Sequence, residues 1–162
     1  MQLREAEDAG RQTALYSAAM IDLSKVKPGL SGSADLLVSA EHTAPRVGSG
    51  MVAVLATPVM INVIEAAALA AVEHLLPAGH QSLGIHLDVR HFAATPVGMQ
   101  VRATAELIAV EGRTLTFRVE ARDEREAIGD GTHQRVVVNV GRFDGRVQRK
   151  LGPGTAEPQG RS

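Results

Sequence analysis

The spacing of apolar residues along this chain changes period once, and that change sets out the fold. Residues 56–72, Ala-Thr-Pro-Val-Met-Ile-Asn-Val-Ile-Glu-Ala-Ala-Ala-Leu-Ala-Ala-Val, are apolar on nearly every side, with only Asn62 and Glu65 interrupting before Glu73. Thr57 is placed to cap free backbone N–H groups, and Pro58 suits the first helical position. The pattern therefore predicts a helix over residues 58–76, stopped by Pro77-Ala78-Gly79. A surface helix carries an apolar stripe, whereas one apolar all round must be enclosed. It is short for a membrane span and poor in large apolar side chains. From residue 82 the period becomes two. Leu83, Ile85, Leu87 and Val89 alternate with Ser82, His86, Asp88 and Arg90. Val101, Ala103, Ala105, Leu107 and Ala109 alternate with Arg102, Thr104 and Glu106, and Leu115, Phe117, Val119 and Ala121 with Thr116, Arg118, Glu120 and Arg122. Each run reads as a strand with one buried face. Turns are expected at residues 94–98 and at Glu111-Gly112-Arg113. A loop over 124–131 leads to a last strand over 132–143, and residues 33–41 read as a first strand ahead of the helix.

One long central helix with a five-stranded antiparallel sheet wrapped around it, in the order β-α-β-β-β-β, is an α+β domain of the hot-dog kind. The domain is placed at residues 30–150, after an N-terminal extension (1–29) whose first 19 residues have no assigned function. From about Asp144 the chain turns to Gly, Pro, Gln and Arg and reads as disordered, with 151–162 a tail. The helix is apolar on more faces than one sheet covers, which predicts a homodimer.

Composition narrows the function. A chain of 162 residues with net charge -1 is one domain with no electrostatic case for nucleic acid. Four aromatics leave little for a base-stacking platform. With no cysteine, disulfides and thiolate chemistry are excluded. No run is read as a membrane anchor and residues 1–19 lack the apolar stretch of a signal peptide, so a cytoplasmic protein without a membrane partner is expected. Metal-ligand spacings such as HExxH are absent, and neither metal nor cofactor is expected.

The candidate chemistry lies in and beside the helix. Glu65 has Ile61 and Leu69 one turn to either side. The plain reading is a partly exposed carboxylate, or one paired with an arginine; the functional reading is a desolvated or positioned base. His91 shares the parity of Leu83 to Val89, so it is expected on the buried face, either as a core histidine satisfied by a carbonyl or as a proton carrier. Thr57 is a helix cap on the plain reading, yet its hydroxyl then lies by the positive end of the helix, where a developing oxyanion would be stabilised. Gly84 either lets a substrate approach the strand or relieves packing against the helix.

Residues 55–60 with Glu65, then Ser82-Leu83-Gly84, His91, Ala93-Ala94-Thr95-Pro96 and Gly98, resemble the fluoroacetyl-CoA thioesterase-like family of hot-dog proteins. The likeness continues through Val110-Glu111-Gly112-Arg113 and residues 128–135, and covers roughly residues 30–150. It implies an acyl-CoA thioesterase, active as a homodimer with sites at the subunit interface. It matches Thr57, Glu65 and His91 to catalytic residues, and Gly84 and Arg135 to positions that contact substrate. Met51 stands where the fluoroacetyl-specific enzyme carries an aromatic gate, so a short acyl group is expected rather than fluoroacetyl in particular. The reading is hydrolysis of a short-chain acyl-CoA to the acid and CoA. Glu65 acts as base or nucleophile, His91 transfers protons and Thr57 holds the reacting groups, while Arg135, Arg142, Arg146 and Arg149 are available to the CoA phosphates. A non-catalytic acyl-CoA-binding protein is the alternative. A hot-dog enoyl-CoA hydratase is a weaker one, because its Asp/His segment has no match here.

Overall fold

A computed structural model describes residues 20–153. The readings of residues 1–19 and of the last nine lie outside the described residues. The elements are β1 (Ser31–Leu37), α1 (Ala44–Val47), α2 (Thr57–Val72), β2 (His80–His91), β3 (Gln100–Glu111), β4 (Thr114–Asp123), β5 (Ala127–Asn139) and α3 (Val140–Gln148), with short 3-10 turns at Ala40–His42, Glu73–Leu75 and Arg149–Leu151. The five strands form one antiparallel sheet in the order β1-β3-β4-β5-β2. It curls around α2, as the hot-dog arrangement requires.

Apolar alternation held over most of the strands paired on both sides; in β3 it ends at Leu107, where the register shifts and Ala109 leaves the core. Val101, Ala103, Ala105 and Leu107 of β3, and Leu115, Phe117, Val119 and Ala121 of β4, are all buried against the Met60, Ile64, Ala67, Ala68 and Val72 side of α2. Val26, ahead of β1, is buried in the same core. By length and hydropathy Thr57–Leu75 would suffice to cross a membrane, contrary to the reading that no run is long and apolar enough. Here one face of it, through Met60, Val63, Ile64, Ala67, Ala68, Ala71 and Val72, is buried in the core of the domain. The outer face carries cross-strand ion pairs such as Asp35–Arg102 and Glu106–Arg118, which solvent screens so that they add little to stability.

Several boundaries differ from the expectation, each for a local reason. The first strand ends at Leu37 because Ser39 and His42 bond reciprocally and start a 3-10 turn. Strand β5 begins at Ala127, inside the expected loop. There the Asp123 carboxylate accepts the Arg125 and Glu126 N–H groups to close a tight turn, and Gly129 lies where any Cβ would strike the Arg90 carbonyl and the Met60 sulfur. That glycine marks close packing rather than a loop. The chain does not lose order at Asp144 either. Asn139 accepts the Arg142 N–H and caps α3, which runs to Gln148.

Strand β2 departs most. It pairs only with β5, and its register shifts between Gly84 and His86, leaving Ile85 as a bulge. The bulge reverses parity. Ser82 and Gly84 face α2 before it, and Leu87, Val89 and His91 after it, so Leu83 and Ile85 are not on the buried face as expected. Helix α2 packs mainly on β1 and β3 and little on β2, and Ile85 and Leu87 remain 54% and 39% exposed.

Candidate active site

Helix α2 and strand β2 run antiparallel, and three contacts between them or across to β5 hold every sequence-predicted site residue. At the helix start, Thr57 Oγ1 lies 2.8 Å from His91 Nδ1. Thr57 was expected to be the cap, but the capping position belongs to Ala56, whose extended backbone ends the preceding segment and whose carbonyl receives both Val59 and Met60 N–H groups. Thr57 is the first helical residue and Pro58 the second. The threonine hydroxyl is thus free of the helix, and His91 takes it. Pro58 has no N–H, and the Thr57 amide has no backbone acceptor among the described residues. His91 Nε2 is buried and has no hydrogen-bond partner among the described residues. Burial lowers the His91 pKa and the Ala93 backbone opposes it, the net direction being down, so the ring is neutral near pH 7. A cavity of about 390 Å³ opens onto Thr57 and His91, lined also by Met51, Val52 and Phe92.

Eight residues further along the helix, about 12 Å at 1.5 Å per residue, Glu65 meets a second group. Its side chain is 34% exposed. Arg135 Nη1 lies 3.4 Å from Glu65 Oε1, and Gly84 gives the carboxylate room: a Cβ there would collide with Oε1 and crowd His133. Both features of the plain reading of Glu65, partial exposure and an arginine partner, are present. Arg135 is itself 5% exposed and is held on three further sides. Its Nε donates to Ser82 Oγ (2.8 Å), its Nη2 to the Ser82 carbonyl (2.9 Å), and its Nη1 to His133 Nε2 (3.2 Å).

The polarity of these bonds is forced. A carbonyl only accepts, so the 2.9 Å contact between His133 Nδ1 and the His86 oxygen puts a proton on Nδ1. A guanidinium only donates, so His133 Nε2 is the acceptor and the ring is neutral. Its 3.7 Å approach to Glu65 is therefore not an ion pair. Burial, the largest influence, keeps His133 below the usual histidine value. At the far end of α2, Ser82 gives its N–H to Glu73 Oε1 (2.9 Å) and its hydroxyl proton to Oε2 (2.6 Å).

The five predicted residues thus fall into two groups: Thr57 with His91, and Glu65 with Gly84 and Arg135. Within one chain they do not form a single constellation. Sequence reasoning missed Ser82, Glu73 and His133, and the unseen bulge accounts for Ser82, which parity had placed on the outer face. Arg142 and Arg146 line a groove of about 650 Å³ with Arg113 beside the outer-face residues Val136 and Val138, away from Arg135.

Residues 38–141 match the family FlK, described as fluoroacetyl-CoA-specific thioesterase. The fluoroacetyl-CoA thioesterase of Streptantibioticus cattleyicolor is 44% identical over 101 residues, covering 62% of this chain and 73% of that protein. A solved structure of the fluoroacetyl-CoA thioesterase FlK superposes with a TM-score of 0.73 at 36% identity, over 77% of this chain and 97% of the other. A thioesterase superfamily member from Thermus thermophilus follows at 0.72 and 26%, over 78% and 93%. With the curled sheet, the helix and the matched residues in place, this chain belongs to the FlK family of acyl-CoA thioester hydrolases.

Proposed function

We propose that this protein hydrolyses a short-chain acyl-CoA to the free acid and CoA, at a site that two copies of the chain complete. The carrying observation is the separation of the two groups. Proton transfer needs contact or one bridging water, and about 12 Å of helix keeps Glu65 from His91. Strand β2 is an unpaired edge, with inward-facing Leu87 exposed about midway between Gly84 and His91. Antiparallel pairing of two such edges about that midpoint lays His91 of one copy against Gly84 and Glu65 of the other. It also buries Ile85 and Leu87 and satisfies the open ladder.

In such a site Glu65 activates water for attack on the thioester carbonyl, or attacks it directly to form an anhydride that water then opens to free the acid and regenerate the carboxylate. The Thr57 hydroxyl and amide hydrogen-bond the reacting oxygen at the helix start, and His91, neutral at rest, relays to the departing thiolate a proton that comes from water. Gly84 leaves the Glu65 carboxylate room to stand against the strand. Met51 and Phe92 flank the cavity on the Thr57 side, which favours a small acyl chain without fixing fluoroacetyl.

Release of free thiol from a panel of acyl-CoA esters tests the reading. Glu65→Gln and His91→Ala should each lower turnover by roughly 10²-fold or more. Mixed after unfolding and refolding together, the two inactive variants should regain about a quarter of the parent activity, since half the dimers are mixed and each has one intact site. No thiol from any ester would favour the binding-protein alternative. Silence of the mixture would place all the working groups in one chain.

A further inference from the structure

Ser82, Arg135 and His133 form a buried polar network that the reaction scheme above does not use. We propose that Ser82, with Glu73 behind it, is a positioning residue for Glu65: it locks Arg135, Arg135 holds one carboxylate oxygen, and the other is left for the thioester or its water. The proposal rests on Glu65 being the reacting carboxylate.

Each bond in the chain has only one possible direction. Arg135 Nε can only donate, so Ser82 Oγ accepts it. The one serine proton must then go elsewhere, and the hydroxyl donates it to Glu73 Oε2 at 2.6 Å. A serine without Glu73 would be free to turn; this one is not. The Ser82 carbonyl takes Nη2, and the neutral His133 takes one Nη1 proton. The remaining Nη1 proton points to Glu65 Oε1. Ser82, His133 and Arg135 are 4%, 0% and 5% exposed. Glu65, at 34%, is the open member on the Gly84 side. A simple helix tie would need only Glu73 and the Ser82 N–H. The bonds from Ser82 onward to a guanidinium, and from that to Glu65, are what a positioning role adds.

Steady-state kinetics of thiol release by the full chain separate the two roles. Ser82→Ala should lower kcat roughly tenfold to a hundredfold, as small displacements of a reacting group do, with little change in KM. Ser82→Thr keeps the hydroxyl and should stay closer to the parent. Glu73→Gln, which keeps the shape but removes the charge, should fall in the same direction as Ser82→Ala. In a Glu65→Gln background Ser82→Ala should cost nothing further, because the two act through one oxygen. The proposal is overturned if folded Ser82→Ala, or Glu73→Gln should the former not fold, keeps the parent kcat while Glu65→Gln is inactive. It is equally overturned if the loss persists undiminished in the Glu65→Gln background. Full activity of Glu65→Gln would instead remove the hydrolytic reading beneath it.

Discussion

Thr57 shows how much one residue's role depends on its neighbour. Had it been the cap, its hydroxyl would be turned onto the helix and its loss would cost about 1 kcal/mol of stability. With Ala56 in that position, Thr57→Ala forfeits only one partly exposed hydrogen bond to His91, worth roughly 0.5–1.5 kcal/mol. The melting temperature should therefore move little while turnover falls at least about tenfold, and Thr57→Ser should keep much of the activity. A Thr57→Ala protein that melts far below the parent, or turns over at the parent rate, contradicts this assignment. The five candidate residues came from the resemblance, which matched them one by one. Their grouping was not legible, since nothing in a linear sequence says that Glu65 and His91 sit at different levels of one helix. Ser82, Glu73 and His133 gave a weak signal at most: a serine and a glutamate at ordinary positions, and a histidine in a stretch read for its family likeness.

At the level of elements, strands paired on both sides were the readable part. In β3 the burial followed the alternation through Leu107 and in β4 through Ala121; past the register shift after Leu107, Val110 rather than Ala109 packs on the core. Strand β2 has one neighbour, and its bulge at Ile85 flipped the parity. Only Gly84 in the sequence hinted at it. Helix α3 was hidden by Gly141 and Gly145, poor helix formers whose cost the Asn139 cap offsets. The crossing of β1 over α2 was not legible either, although Gly32 carries it. A Cβ there would strike the Ala67 carbonyl and the Ala71 amide, both helix backbone and unable to give way. Gly32→Ala should thus destabilise by at least about 1–3 kcal/mol, as overpacking does. A denaturant midpoint equal to the parent's would mean that β1 does not ride so closely on the helix.

For the whole molecule, two half-buried or buried histidines make stability depend on pH in a defined window. Burial lowers both His91 and His133 from their ordinary value, and Arg135 adds to the effect at His133. In the unfolded chain these rings take up protons near pH 6.5; in the folded one they resist until the pH is lower. Over that interval the unfolded state binds more protons, so stability rises with pH. It is fully present above about pH 7 and is lost as the pH falls through the ordinary histidine value toward the folded one. The carboxylates act in a separate, more acidic window. Arg102 holds Asp35 low, and at Asp123 the Arg125 and Glu126 N–H groups with the Thr95 hydroxyl outweigh burial, which pushes it up. Their contribution disappears only below about pH 4. Melting temperature measured from pH 8 to pH 3 should therefore be flat, then begin to fall below about pH 7 as the histidines protonate, then fall again below about 4. His133→Asn cannot take up a proton, so its first fall should be shallower than the parent's while the second is unchanged. An equal slope in both proteins would show that His133 is not held neutral, and the assigned direction of the Arg135 bond would fall with it.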